Sequence, residues 1–103
     1  MKPVVLINVF TVKPGKLNAF IELQTSAIQL FSHRISGWRG SRLHKGLGGN
    51  TAVMMTVFDT VEHHKAWIAS EQFEQHRVKV LQLVEKVEPA YYEVAHEAGH
   101  LDF

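Results

Sequence analysis

Nine residues, Val4 to Val12, are apolar on both sides of an extended chain. Val5, Ile7 and Val9 alternate with Val4, Leu6, Phe10 and Val12, so a strand here needs cover on two faces. Asn8 interrupts the second face. A buried primary amide must find partners for its donors and its acceptor, or it is costly to keep there. Asn8 is therefore either a satisfied structural amide or a hydrogen-bonding group aimed into a pocket.

The rest of the chain supplies cover in a recognisable order. Pro14-Gly15 makes a turn, and Leu17, Phe20, Ile21, Ala27, Ile28 and Phe31 recur at helical spacing, which predicts a helix over roughly Lys16 to His33. Ser36-Gly37 breaks it. Trp38 to Leu47 alternates as a strand, Gly46 to Asn50 (GLGGN) has turn chemistry, and Ala52 to Phe58 returns as a second strand of a hairpin. Asp59-Thr60-Val61-Glu62 has the form of a helix start capped by Asp59, with Glu62 reaching back. Ser70-Glu71 has the form of a second start after Ala69, and the spacing of Phe73, His76, Val80, Leu83, Val84 and Val87 predicts a long amphipathic segment that Pro89 ends. Ala90 to Ala95 reads as the last strand.

Strand, helix, strand, strand, helix, strand is the ferredoxin-like split βαβ pattern, an α+β fold with a four-stranded antiparallel sheet. A length of 103 residues with 46% apolar and 20% charged residues suits one domain, expected over 1–97 with a C-terminal tail at 98–103. Both helices fall on one face of such a sheet. Val5, Ile7, Val9, Val53, Met55 and Val57 would then lie in water on the other face, and burying side chains of this kind is worth roughly 1.5–3 kcal/mol each. A homodimer packed sheet against sheet is the expected solution.

Composition removes several function classes. There is no cysteine, which excludes disulfides, thiolate metal sites and cysteine nucleophiles. No run approaches the roughly 20 apolar residues of a membrane span, and Asn8 spoils any signal-peptide core, so a soluble cytoplasmic protein with no membrane partner is expected. A net charge of +1 exerts little pull on nucleic acid, and the central strands offer Met54, Met55 and Val57 where an RNA-binding sheet needs stacking aromatics. No nucleic-acid partner is expected. His96-Glu97-Ala98-Gly99-His100 matches H-E-x-x-H, but it follows a strand and contains glycine, so the two histidines are not stacked as zinc ligands.

Several stretches together resemble one family. INVFTVKPG at Ile7–Gly15, SGWRGSRLHK at Ser36–Lys45, TVFDTVEHHKAW at Thr56–Trp67, SEQFEQH at Ser70–His76 and YYEV at Tyr91–Val94 resemble the antibiotic biosynthesis monooxygenase family. The resemblance runs from about Val4 to Val94 and implies a dimeric α+β barrel of ferredoxin-like halves. It also implies oxygenation of an electron-rich aromatic or quinol by molecular oxygen with no bound cofactor. The protein's part is then a dry pocket, orientation and stabilisation of a developing anion. A second branch of the family degrades haem. Asn8, Trp67 and His76 match the asparagine, tryptophan and iron-ligating histidine of that branch, which makes haem an alternative substrate and His76 its metal ligand.

These residues are the candidate catalytic group, with Phe10 and Phe73 as candidate substrate-binding residues. Each has an ordinary reading too: Trp67, Phe10 and Phe73 as core, His76 as a surface histidine beside Glu74, Gln75 and Arg77. Trp67 and His76 are nine positions apart, which would set them about 180° from each other on one straight helix. The Ser70 restart is what can turn both toward Asn8. A non-catalytic ligand-binding dimer on the same scaffold is the third reading.

Overall fold

The computed structural model describes residues 2–101 of the chain. The elements are β1 (Val4–Val12), α1 (Leu17–Phe31) with a 3-10 turn at Ser32–Arg34, β2 (Trp38–Lys45), β3 (Thr51–Phe58), α2 (Val61–Ile68), α3 (Glu71–Leu81) and β4 (Val84–Tyr92). The four strands form an antiparallel sheet in the order β2-β3-β1-β4, the ferredoxin-like arrangement. The two-sided apolar strand β1 is central, as its composition requires.

Alternation along β1 assigns the two faces. Leu6, Phe10 and Val12 point to the helices and are buried, and Phe10 packs its ring 4.7 Å from that of the fully buried Phe20 of α1. Ala52, Val80 and Val84 complete this core. On the opposite face the register sets Val5 between Val57 and Tyr92, Ile7 between Met55 and Ala90, and Val9 between Val53 and Glu88. This face is less open than expected. Val5 is buried at 7% exposure and Ile7, Val9, Val53, Met55 and Val57 are partly buried, because cross-strand neighbours about 5 Å apart shield one another.

The last strand starts earlier than its sequence suggests. Helix α3 ends at Leu81 and β4 already begins at Val84, so Pro89 lies inside a strand and does not end a helix. Two local features account for this. A bulge between Thr11 and Val12 pairs Thr11 with Lys86 and Val12 with Val84, so Glu85 is the extra residue and Val84 and Val87 share the inner face. Their spacing of three imitates a helix. Pro89 is tolerated because β4 is an edge strand, where one missing N–H need not break the ladder.

The other departures are at element ends. Thr60, not Asp59, caps α2: its Oγ1 accepts from the backbone N–H of His63 at 3.2 Å and lies 2.7 Å from the His63 Nδ1. Asp59 instead takes Arg39 in an ion pair of 2.6 Å. Strand β2 stops at Lys45 and β4 at Tyr92, short of the expected Leu47 and Ala95. His96 and His100 lie on irregular chain, and among the described residues no three histidine, cysteine or acidic side chains gather as a metal-binding group. The expected tail at 98–103 lies partly outside the described residues. No helix of the described chain is long and apolar enough to cross a membrane.

Candidate active site

Between the helix-facing side of the sheet and the three helices lies a half-open cavity of about 320 Å³. Asn8, Phe10, Trp67, Phe73 and His76, the five residues singled out by sequence, all line it. They come from three elements. Asn8 sits at the middle of β1 between Met54 of β3 and Pro89 of β4, and Phe10 lies one step further along the same face. Trp67 belongs to α2, and Phe73 and His76 to α3.

The break between α2 and α3 turns Trp67 and His76 onto one cavity. Ser70 makes it twice over, accepting from the Phe73 N–H at 3.1 Å as an N-cap and donating to the Trp67 carbonyl at 2.6 Å. The indole of Trp67 is then held between Phe31 of α1 and Phe73 of α3, each with ring centroids 5.8 Å away. These aromatics, with Leu6 and Ile28, make most of the wall apolar.

The polar groups fall in two places. At one, His76 Nε2 lies 2.6 Å from Gln24 Oε1, and Gln24 Nε2 lies 3.3 Å from the Met54 sulfur. Burial lowers the pKa of His76 below the ordinary histidine value and the positive Lys79 lowers it further, which favours the neutral ring. Asn8, partly buried beside Met54, makes no side-chain hydrogen bond to any described residue. Its amide is left to serve whatever occupies the cavity.

At the other, the Trp38 indole Nε1–H donates to Ser41 Oγ at 3.0 Å, and Ser41 Oγ lies 3.0 Å from Thr56 Oγ1 across the β2–β3 pair. Nearby His64, buried against Phe58 with ring centroids 5.2 Å apart, shares a 2.6 Å hydrogen bond with the Tyr91 hydroxyl. Its pKa too is lowered by burial. Neither Gln24 nor His64 stood out in sequence. Gln24 carried a readable signal, since it falls four residues after Phe20 and four before Ile28, inside the apolar stripe of α1.

The chemistry of the site follows from its contents. A neutral histidine can take a proton, an unpartnered amide can donate to a developing anion, and an apolar wall excludes water and orients a flat ring.

Known structures repeat this fold closely. SnoaB from Streptomyces nogalater, a cofactor-independent oxygenase, superposes with a TM-score of 0.85 over 97% of this chain and 100% of its own at 18% identity. A protein assigned as an antibiotic biosynthesis monooxygenase from Bordetella bronchiseptica gives 0.84 over 93% and 100% at 20% identity. A conserved protein from Methanosarcina mazei Go1 gives 0.79 over 90% and 93% at 19% identity. No curated protein sequence matches the chain. Likeness at these identities speaks to the fold, but the family model for antibiotic biosynthesis monooxygenases matches residues 3–79 directly, and the chain belongs to that family.

Proposed function

We propose that the cavity is the site of a monooxygenase that needs no bound cofactor and acts on an electron-rich phenol or quinol. The observation that carries this reading is the 2.6 Å hydrogen bond that ties His76 Nε2 to Gln24 Oε1 in an apolar cavity, which the unpartnered amide of Asn8 also lines. SnoaB, described as a cofactor-independent oxygenase, supports it as a structural neighbour.

Triplet oxygen does not react readily with a closed-shell phenol, whereas a phenolate can pass it an electron. His76 takes the hydroxyl proton, and the phenolate oxygen is held by the Asn8 amide. One-electron transfer to oxygen gives a superoxide and phenoxyl pair, which join at an activated ring carbon as a peroxide. Loss of water, with the ring hydrogen and the proton from His76, leaves a carbonyl on that carbon. The sum is phenol plus oxygen to quinone plus water, and all four electrons come from the substrate. Trp67, Phe10 and Phe73 hold the ring so that the reactive carbon is presented to oxygen.

Haem is the less favoured substrate. Iron binding through His76 Nε2 would forfeit the 2.6 Å bond to Gln24, whereas proton transfer leaves it in place. The dimer belongs to the same proposal: a second copy covers the partly buried face around Ile7, Val9 and Met55. A monomer in sedimentation at micromolar concentration would contradict that part.

Oxygen uptake with a panel of phenols and quinols tests the function. His76→Ala is expected to lower kcat by about 10²-fold or more and Asn8→Ala by roughly 10²–10³-fold, in line with general-base and oxyanion contributions. Unchanged uptake in both variants would remove this site from the reaction.

A further inference from the structure

Helix α1 buries two side chains, Phe20 and Gln24, and only the second is polar. The amide of Gln24 has two different neighbours. One is the Met54 thioether, 3.3 Å from Nε2, which has no hydrogen to give and can only accept. The other is His76 Nε2, 2.6 Å from Oε1.

A thioether and a carbonyl oxygen turned toward each other would be two acceptors with nothing between them. Met54 therefore selects the amide orientation with nitrogen toward sulfur and oxygen toward histidine. An oxygen facing His76 Nε2 requires a hydrogen on that nitrogen. A neutral imidazole carries one ring hydrogen, so Nδ1 keeps its lone pair, and Nδ1 makes no hydrogen bond to any described residue.

We propose that Gln24 and Met54 are positioning residues that hold neutral His76 in its Nε2–H tautomer, leaving Nδ1 as the atom that accepts the substrate's hydroxyl proton. The assignment of the accepting atom rests on the oxygenase reading above; the tautomer does not. In the step itself the substrate O–H bond breaks, a bond to Nδ1 forms, and the ring becomes an imidazolium. The Nε2–H bond to Gln24 is kept throughout and grows stronger as the ring gains charge. Nothing has to rotate when the proton moves.

The electrostatic surroundings suit a base that must stay neutral until it acts. Lys79 on α3 opposes a charge on His76. Arg77 is the one fixed charge among the described residues lining the cavity, and it pairs with Glu74 at 3.3 Å. From α1 the neutral Gln24 faces His76, the neutral Asn8 and Met54 of the sheet line the same cavity, and His64 is the other histidine in the lining.

Long-range proton–nitrogen NMR on protein labelled at histidine nitrogen reads the tautomer directly and needs no substrate. At a pH above its pKa, wild-type His76 is expected to show a protonated Nε2 and an unprotonated Nδ1. Gln24→Leu and the volume-conserving Met54→Leu are expected to give mixed tautomers. Gln24→Glu restores the acceptor, keeps Nε2–H and raises the pKa of His76, so the acid limb of its pH–rate profile moves to higher pH. An Nδ1–H form in the wild type, or an unchanged Nε2–H form in Gln24→Leu, would overturn the proposal; an unchanged form in Met54→Leu would overturn the part assigned to Met54. A correct tautomer in a protein that consumes no oxygen would leave the positioning intact and refute the oxygenase reading alone.

Discussion

The rings of Trp67 and Phe73 meet nearly edge to face, with centroids 5.8 Å apart and planes inclined by 73°. They are six positions apart in the chain, and the helix break falls between. The pair closes α2 onto α3 across that break. It brings Trp67 to the same wall as His76, which a continuous helix would turn away.

Ser70 holds the break, so Ser70→Ala loses the N-cap of α3 together with the bond to the Trp67 carbonyl. Loss of such a cap costs about 1 kcal/mol, which in a domain of this size lowers Tm by roughly 4–8 °C. A thermal melt followed by tryptophan fluorescence checks both the shift and the changed setting of Trp67.

Gly37 has φ of +77°, and a Cβ there would lie 2.3 Å from the His63 ring. Its carbonyl also accepts from the Asp59 N–H at 2.8 Å, so the backbone cannot simply move aside. Gly37→Ala is expected to destabilise the fold by about 1–3 kcal/mol from the backbone strain alone. Urea unfolding with an unaltered slope would register this as a lower midpoint.

His64 and His76 both have pKa values held below the ordinary histidine value, in each case first by burial. The folded state thus binds fewer protons than the unfolded chain as pH falls through this range. Stability is full above about pH 6.5, where the unfolded histidines are neutral, and declines as pH drops below it toward the folded pKa values. The urea midpoint is expected to be lower at pH 5.5 than at pH 7.5. Combined substitution of the two histidines by glutamine is expected to flatten that difference.

Much of this was legible in the chain because the signals were local. The two-sided β1, the stripe of α1 and the Ser70 cap each carry their own periodicity or capping chemistry. The start of β4 was not, because Val84 and Val87 owe their shared face to a bulge opposite Thr11 and Val12, residues more than seventy positions earlier. The cap of α2 lies one residue later than the sequence pattern suggests because Asp59 and Thr60 are both competent caps, and only the tertiary ion pair with Arg39 draws Asp59 away. The site shows the same division. Asn8 announced itself as a polar break in an apolar strand, whereas the partnerships of Gln24 with His76 and of His64 with Tyr91 join residues 52 and 27 positions apart.

In the proposed reaction every electron comes from the substrate. Single turnover of chelator-treated protein with an oxidisable phenol under ¹⁸O₂ reads this out. The expected outcome is one labelled oxygen in the quinone, the other in water and no hydrogen peroxide, with the yield lost in His76→Ala. Unlabelled product, or labelling that appears only after haem or a metal ion is added, would contradict it.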